Sequence, residues 1–105
     1  MVIKPCKIIY APGVRDQITL IPKKYYSLIR KTIEEQLSYE PDVKTPNRKP
    51  LQFSSKYGEW ELRFGPKNRF RVIYRFSVDF NEVYIGAIAE KRGNRLFVAG
   101  EEVQL

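Results

Sequence analysis

The sequence predicts an α+β domain: a mostly antiparallel sheet of four to five strands with two N-terminal helices packed on one face. Three observations carry this expectation. The 105 residues suit a single domain spanning 1–105. Hydrophobic residues make up 43% and aromatics 13%, enough for a core. The hydrophobic period is helical in the first third and two-fold in the second half.

Lys7 to Tyr10 reads as a short strand, stopped by Ala11-Pro12-Gly13. A short helix over about Val14 to Leu20 is weakly supported, because Val14, Ile18 and Thr19 are β-branched. Pro22 suits the first residue of a second helix, where a missing N–H costs nothing. Tyr25, Tyr26, Ile29, Ile33 and Leu37 then form one apolar stripe, and the helix should end before Pro41. Pro41 to Pro50, with three prolines and few apolar residues, reads as a loop. Glu59 to Phe64 alternates apolar and charged residues, Gly65-Pro66-Lys67-Asn68 supplies a turn, and Arg69 to Phe76 alternates again, so the two pair as a hairpin. A turn near Asp79 and Asn81 leads to a two-sided, central strand over Glu82 to Ala89. Lys91 to Arg95 reads as a basic turn and Leu96 to Val98 as a last short strand.

Nineteen Lys and Arg against twelve Asp and Glu leave a net charge of +7, which favours a polyanionic partner. Cys6 is the single cysteine and histidine is absent, so no disulfide framework, thiol metal cluster or His-based nucleophile system is available. No metal or other cofactor is expected. The N-terminus lacks the apolar run of a leader and no stretch suits a membrane span, so the expected compartment is the cytoplasm, with no membrane partner.

Residues 62–76 hold five basic side chains and no acidic one. Alternation sets Phe70, Val72, Tyr74 and Phe76 on one face, and Arg69, Arg71, Ile73 and Arg75 on the other, with Arg63 beside them on the neighbouring strand. Side-by-side arginines repel, so such a cluster calls for a carboxylate or an anionic ligand. The face is either a phosphate-binding concavity for RNA, extended by Lys67, Lys91, Arg92 and Arg95, or a solvated sheet surface. Lys23 and Lys24 at the start of the second helix oppose its dipole, which suits a partner contact as well as ordinary surface. Trp60 and Tyr74 are expected in the core rather than as base-stacking platforms.

Asn47-Arg48-Lys49-Pro50-Leu51, Trp60-Glu61-Leu62-Arg63, Arg69 to Tyr74 and Ala87 to Leu96, closed by Gly100-Glu101-Glu102-Val103, resemble the RelE/ParE toxins of type II toxin–antitoxin systems. The resemblance implies a RelE-like fold and one of three activities. The favoured one is a ribosome-dependent mRNA endonuclease (an mRNA interferase) that inhibits translation and causes growth arrest. The others are a non-catalytic inhibitor of DNA gyrase and a non-catalytic RNA-binding relative. In the RNase branch a 2′-hydroxyl attacks the adjacent phosphate, leaving a cyclic phosphate and a free 5′-hydroxyl. By position, Arg71 matches the arginine that holds the scissile phosphate. Arg63 matches a basic position on the preceding strand, and Arg92 matches an arginine after the long strand. Lys91 is the candidate proton-transfer group, with Glu90 and Glu61 as alternative acceptors of the 2′-hydroxyl proton. Arg69, Arg75, Arg95, Lys67, Lys23 and Lys24 would contact RNA or the ribosome. Two departures stand out: Glu61 occupies a position that is basic in the best-known members, and Phe97 and Val98 stand where those carry a tyrosine. The implied partners are mRNA, the ribosome and an acidic, partly disordered cognate antitoxin. On this reading Arg71→Ala should spare folding and abolish cleavage.

Overall fold

The structure is a computed structural model that describes residues 4–104; Met1–Ile3, within the stretch inspected above for a leader, and Leu105 lie outside the described residues. A curled sheet of strands β1 (Lys7–Tyr10), β2 (Arg48–Ser55), β3 (Gly58–Phe64), β4 (Phe70–Ser77), β5 (Glu82–Arg92), β6 (Arg95–Val98) and β7 (Glu101–Val103) carries helices α1 (Val14–Ile18) and α2 (Tyr26–Leu37). The strands run in the order β2-β3-β4-β5-β6-β7, all antiparallel, and β1 joins β5 in parallel.

The expected architecture is present with more strands and less helix. Among the described residues the sheet has seven strands, not four to five. Strand β2 begins inside the stretch expected to be a loop, because an edge strand tolerates Pro50, whose missing N–H faces away from the ladder. Lys91 and Arg92 extend β5 beyond Ala89, so the basic turn shrinks to Gly93 and Asn94. Of the two helices, only α2 is substantial. α1 is five residues long, and Pro22 precedes a 3₁₀ turn (Lys23–Tyr25) that feeds α2.

α2 buries Ile29, Ile33 and Leu37 against Leu62, Phe64, Phe70, Val72 and Tyr74 of β3 and β4, with Val83, Ile85 and Ile88 of β5 beneath. The expected stripe and the expected core role of Tyr74 and Trp60 therefore hold: Tyr74 is fully buried and Trp60, half-buried, stacks on it at 6.2 Å. Arg48 is buried too, and its guanidinium donates to the carbonyls of Val43 and Gln36, satisfying an orphan acceptor at the end of α2. α1 has a comparable task. On one edge of β5, pairing with β1 ends at Ile85 and pairing with β6 begins only at Glu90, opposite Phe97; the Gln17 side chain fills the gap by accepting the Ile88 N–H at 2.9 Å.

The other face of the sheet is not an open, solvated surface. Ile73, Ala87, Ala89 and Val98 form a second buried cluster there, covered by Leu51, Tyr57 and Val103. A bulge at Gly86, between the Ile73–Ala87 and Tyr74–Ile85 pairs, lets β5 bend. A Cβ at Gly86 would overlap the Tyr57 carbonyl, so only glycine allows the β2–β3 turn to close over β5. Small alanines on the inside of the curl and a bulge at its bend wrap the sheet around this second cluster.

A candidate anion site built on two buried carboxylates

Strand register determines where the arginines meet. Arg63 lies opposite Arg71 in the β3–β4 ladder, and Glu61 lies opposite Ile73, so all four side chains share the inner face of the curl. Two guanidiniums side by side need an anion, and Glu61 supplies it. Its Oε1 accepts from Arg71 Nη1 at 2.6 Å and from Arg63 Nε at 3.0 Å. The side chains of Arg71 and Glu61 are only 8% and 6% exposed, whereas that of Arg63 is 35% exposed. Arg71 Nε also points to the Asn68 carbonyl at 3.4 Å. Arg71 is thus enclosed and Arg63 is the part of the trio that solvent reaches. Both bonds fall on one oxygen, so Oε2 of Glu61 takes neither.

A second trio sits at the same end of the sheet on the opposite face. Glu90 is buried on β5, opposite Phe70 and Phe97. Its Oε2 accepts from Arg69 Nε at 2.7 Å, and its Oε1 accepts from Arg92 Nη2 at 3.1 Å. Arg69 also donates to the Tyr25 hydroxyl at 3.1 Å and lies 4.7 Å from the Tyr25 ring centroid; Arg92 lies 5.3 Å from that of Phe97. The hydrogen bond that Arg69 donates to Glu90 raises the guanidinium's pKa above its ordinary value. With Lys67, Lys91 and Gly93 the trio lines a cleft of about 790 Å³. Arg69 and Arg92 share one carboxylate there and Lys67 adds a third cation, which leaves the cleft net positive and suited to a phosphate group.

The expectation that Arg63, Arg69, Arg71 and Arg75 share one face is therefore corrected. Arg69 precedes β4, at the end of a 3₁₀ turn (Pro66–Asn68) in which Lys67 and Asn68 take left-handed backbone. Strand alternation does not extend to it, and it swings to the helix side. Arg75 keeps the face of Arg71, but lies further along β4, in a half-exposed pair with Glu59 at 3.5 Å. Lys91 is half-buried and shares the face of Ala89 and Arg71, while its backbone N–H donates to the Arg69 carbonyl, tying the two trios together. Arg95 is exposed and pairs with Glu102 at 3.8 Å. Lys23 and Lys24 are exposed in the 3₁₀ turn before α2, with the Lys24 ammonium 5.1 Å from the centroid of the Tyr25 ring on which Arg69 also lies. Glu34 and Glu35 are engaged within α2, pairing with Arg30 and Lys31 one turn earlier. Tyr25 is the member that sequence reasoning placed only in the apolar stripe. Nothing in the helical period marks its hydroxyl as a partner for Arg69.

The burial of Arg71 also revises the expectation that Arg71→Ala spares folding. Removing it strips a buried carboxylate of its nearer partner.

No protein-family model matches the sequence, and no curated protein is significantly similar to it. Among solved structures, a chain of the crystal structure of the toxin–antitoxin complex RelBE2 from Mycobacterium tuberculosis superposes with a TM-score of 0.68. The match covers 86% of this chain and 95% of that chain at 20% sequence identity. The chain has a RelE-like fold. At this identity the likeness speaks for the backbone, and the charged trios have to be read from this chain's own side chains. Among the described residues no helix is long and apolar enough to cross a membrane.

Proposed function

We propose that this chain is the toxin of a type II toxin–antitoxin pair and that it cleaves mRNA on the ribosome without a metal ion. The observation that carries the reading is the Arg63–Glu61–Arg71 trio, a carboxylate held between two guanidiniums. Such a trio has the parts that cleavage by a neighbouring 2′-hydroxyl requires. The 2′-oxygen forms a bond to phosphorus, the bond from phosphorus to the 5′-oxygen breaks, and the products are a cyclic phosphate and a free 5′-hydroxyl. Oε2 of Glu61 takes the proton of the attacking hydroxyl. Arg63 reaches the phosphate first, and Arg71 fixes the carboxylate and adds charge against the growing negative charge of the transition state. The Lys91 ammonium gives its proton to the departing 5′-oxygen. Arg92, with Arg69 and Lys67, holds the flanking backbone in the cleft beyond. The place of action is the cytoplasm, and the partner that restrains it is an acidic antitoxin that folds on this +7 chain.

A second reading has an observation of its own. The Arg71–Glu61 pair is buried as deeply as many purely structural pairs. A toxin lineage that inhibits DNA gyrase by binding alone would keep that pair for folding.

The test is controlled expression in bacteria of the wild type and Arg63→Gln, with mRNA ends mapped by primer extension. The RNase reading expects cuts inside translated codons that disappear in the variant and when translation is blocked. Growth arrest without new mRNA ends overturns it in favour of gyrase, and absence of arrest overturns the toxin assignment.

A further inference from the structure

A groove on the far side of the bulge is used by neither trio. It has a volume of about 440 Å³, and its walls include Ile9, Lys56, Tyr57, Arg75, Tyr84 and Gly86. Three observations set it apart. Arg75 and Tyr84 are direct cross-strand partners, so their side chains leave the sheet together on the face of Ile9. The Lys56 ammonium sits 5.0 Å from the centroid of the Tyr57 ring, and both belong to the turn that Gly86 allows to close over β5. The groove thus presents two half-buried tyrosines flanked by two exposed cations.

Neither cation has a buried ionic partner. Arg75 meets Glu59 at 3.5 Å with both side chains about half exposed, a pair worth little in water and easily exchanged for a phosphate. The Tyr84 hydroxyl donates to Glu82 at 2.8 Å. That bond fixes the phenol edge without covering the ring face.

We propose that this groove is a binding subsite for unpaired bases of single-stranded RNA, with Tyr57 and Tyr84 as stacking surfaces and Lys56 and Arg75 on the backbone phosphates. Aromatic rings interleaved with cations are what a base and its phosphate require together. The proposal deepens the RNA-directed reading above and assigns the same strand a second contact. Arg71 and Arg75 leave one face of β4 four residues apart, about 14 Å at the usual rise, so the subsite would hold nucleotides beyond the scissile phosphate.

The experiment is fluorescence anisotropy of a labelled oligouridylate with the purified full-length chain, without ribosomes. A backbone-matched abasic oligomer serves as the second probe. The expected result is measurable binding of oligouridylate that weakens about ten-fold or more in Tyr84→Ala and is kept in Tyr84→Phe, which retains the ring. The abasic oligomer should bind the wild type more weakly, and no better than Tyr84→Ala binds oligouridylate. Equal affinity for both probes would overturn the proposal, since it would reduce the groove to a charged surface. No binding, or an unchanged affinity in a Tyr84→Ala chain with wild-type circular dichroism, would overturn it as well. Because no cleavage is read, failure here is separate from failure of the nuclease reading.

Discussion

Replacing Arg71 by alanine is expected to destabilise the protein by about 2–4 kcal/mol, and Glu61 is the reason. The two side chains are 8% and 6% exposed and meet at 2.6 Å, so the carboxylate gave up most of its hydration when it took Arg71 as partner. Breaking a buried pair from one side costs about 3–5 kcal/mol. The figure is set lower here because Arg63, at 3.0 Å and partly in water, still serves the same oxygen. At roughly 4–8 °C per kcal/mol for a domain of about this size, the melting temperature should fall by about 8–32 °C. The double variant Arg71→Met with Glu61→Leu removes both charges and keeps apolar volume, so most of the loss should be recovered. Trp60 is the single tryptophan, and it stacks on Tyr74 from β3, the strand next to the sheet edge; its fluorescence in urea reports unfolding directly. A single variant within about 0.5 kcal/mol of wild type, or a double variant less stable than the single, would refute the assignment of a buried charge pair.

Two further predictions concern the frame around the sites. Gly86→Ala places a methyl group on the Tyr57 carbonyl and should cost about 3 kcal/mol or prevent folding, read from the urea midpoint; a neutral result would show that the β2–β3 turn does not close over β5. Burial raises the Tyr74 phenol well above its ordinary value of 10.0, with its hydroxyl donating to the Pro41 carbonyl at 2.6 Å. The native state then binds a proton that the unfolded chain releases, so stability is complete below pH 10 and is lost as pH rises above it. Tyr74→Phe should lose about 1 kcal/mol at neutral pH and show a shallower decline above pH 10, checked by urea titrations across that range.

Much of the fold is legible in single strands, because β3 and β4 alternate cleanly and α2 keeps its stripe. What escapes are features decided by pairing. Strand β2 carries Pro50 and few apolar residues, and its identity comes from the ladder it forms with β3. β7 is three residues long and earns its place by setting Val103 over the second cluster. The need of the arginine cluster for a carboxylate follows from charge repulsion. The choice of Glu61 requires the β3–β4 register, and that of Glu90 requires a β4–β5 register across 21 residues of sequence. Arg69 is misplaced by alternation because its own backbone is helical, with φ −59° and ψ −31°, where it closes the 3₁₀ turn just before the strand begins.

The parallel pairing of β1 with β5 also orders the chain's assembly. Lys7 pairs with Glu82 across 75 residues, whereas the β3–β4–β5 meander closes through short turns. Loop closure favours the meander first, with the N-terminal strand docking last. During synthesis the apolar stripe of α2 emerges well before the strands that cover it, and its cover is complete only once residues 62–88 have been made. The nascent chain therefore passes through a stage with an adhesive helix and no sheet beneath it, and a slow decoding step between residues 40 and 85 would lengthen its exposure to aggregation.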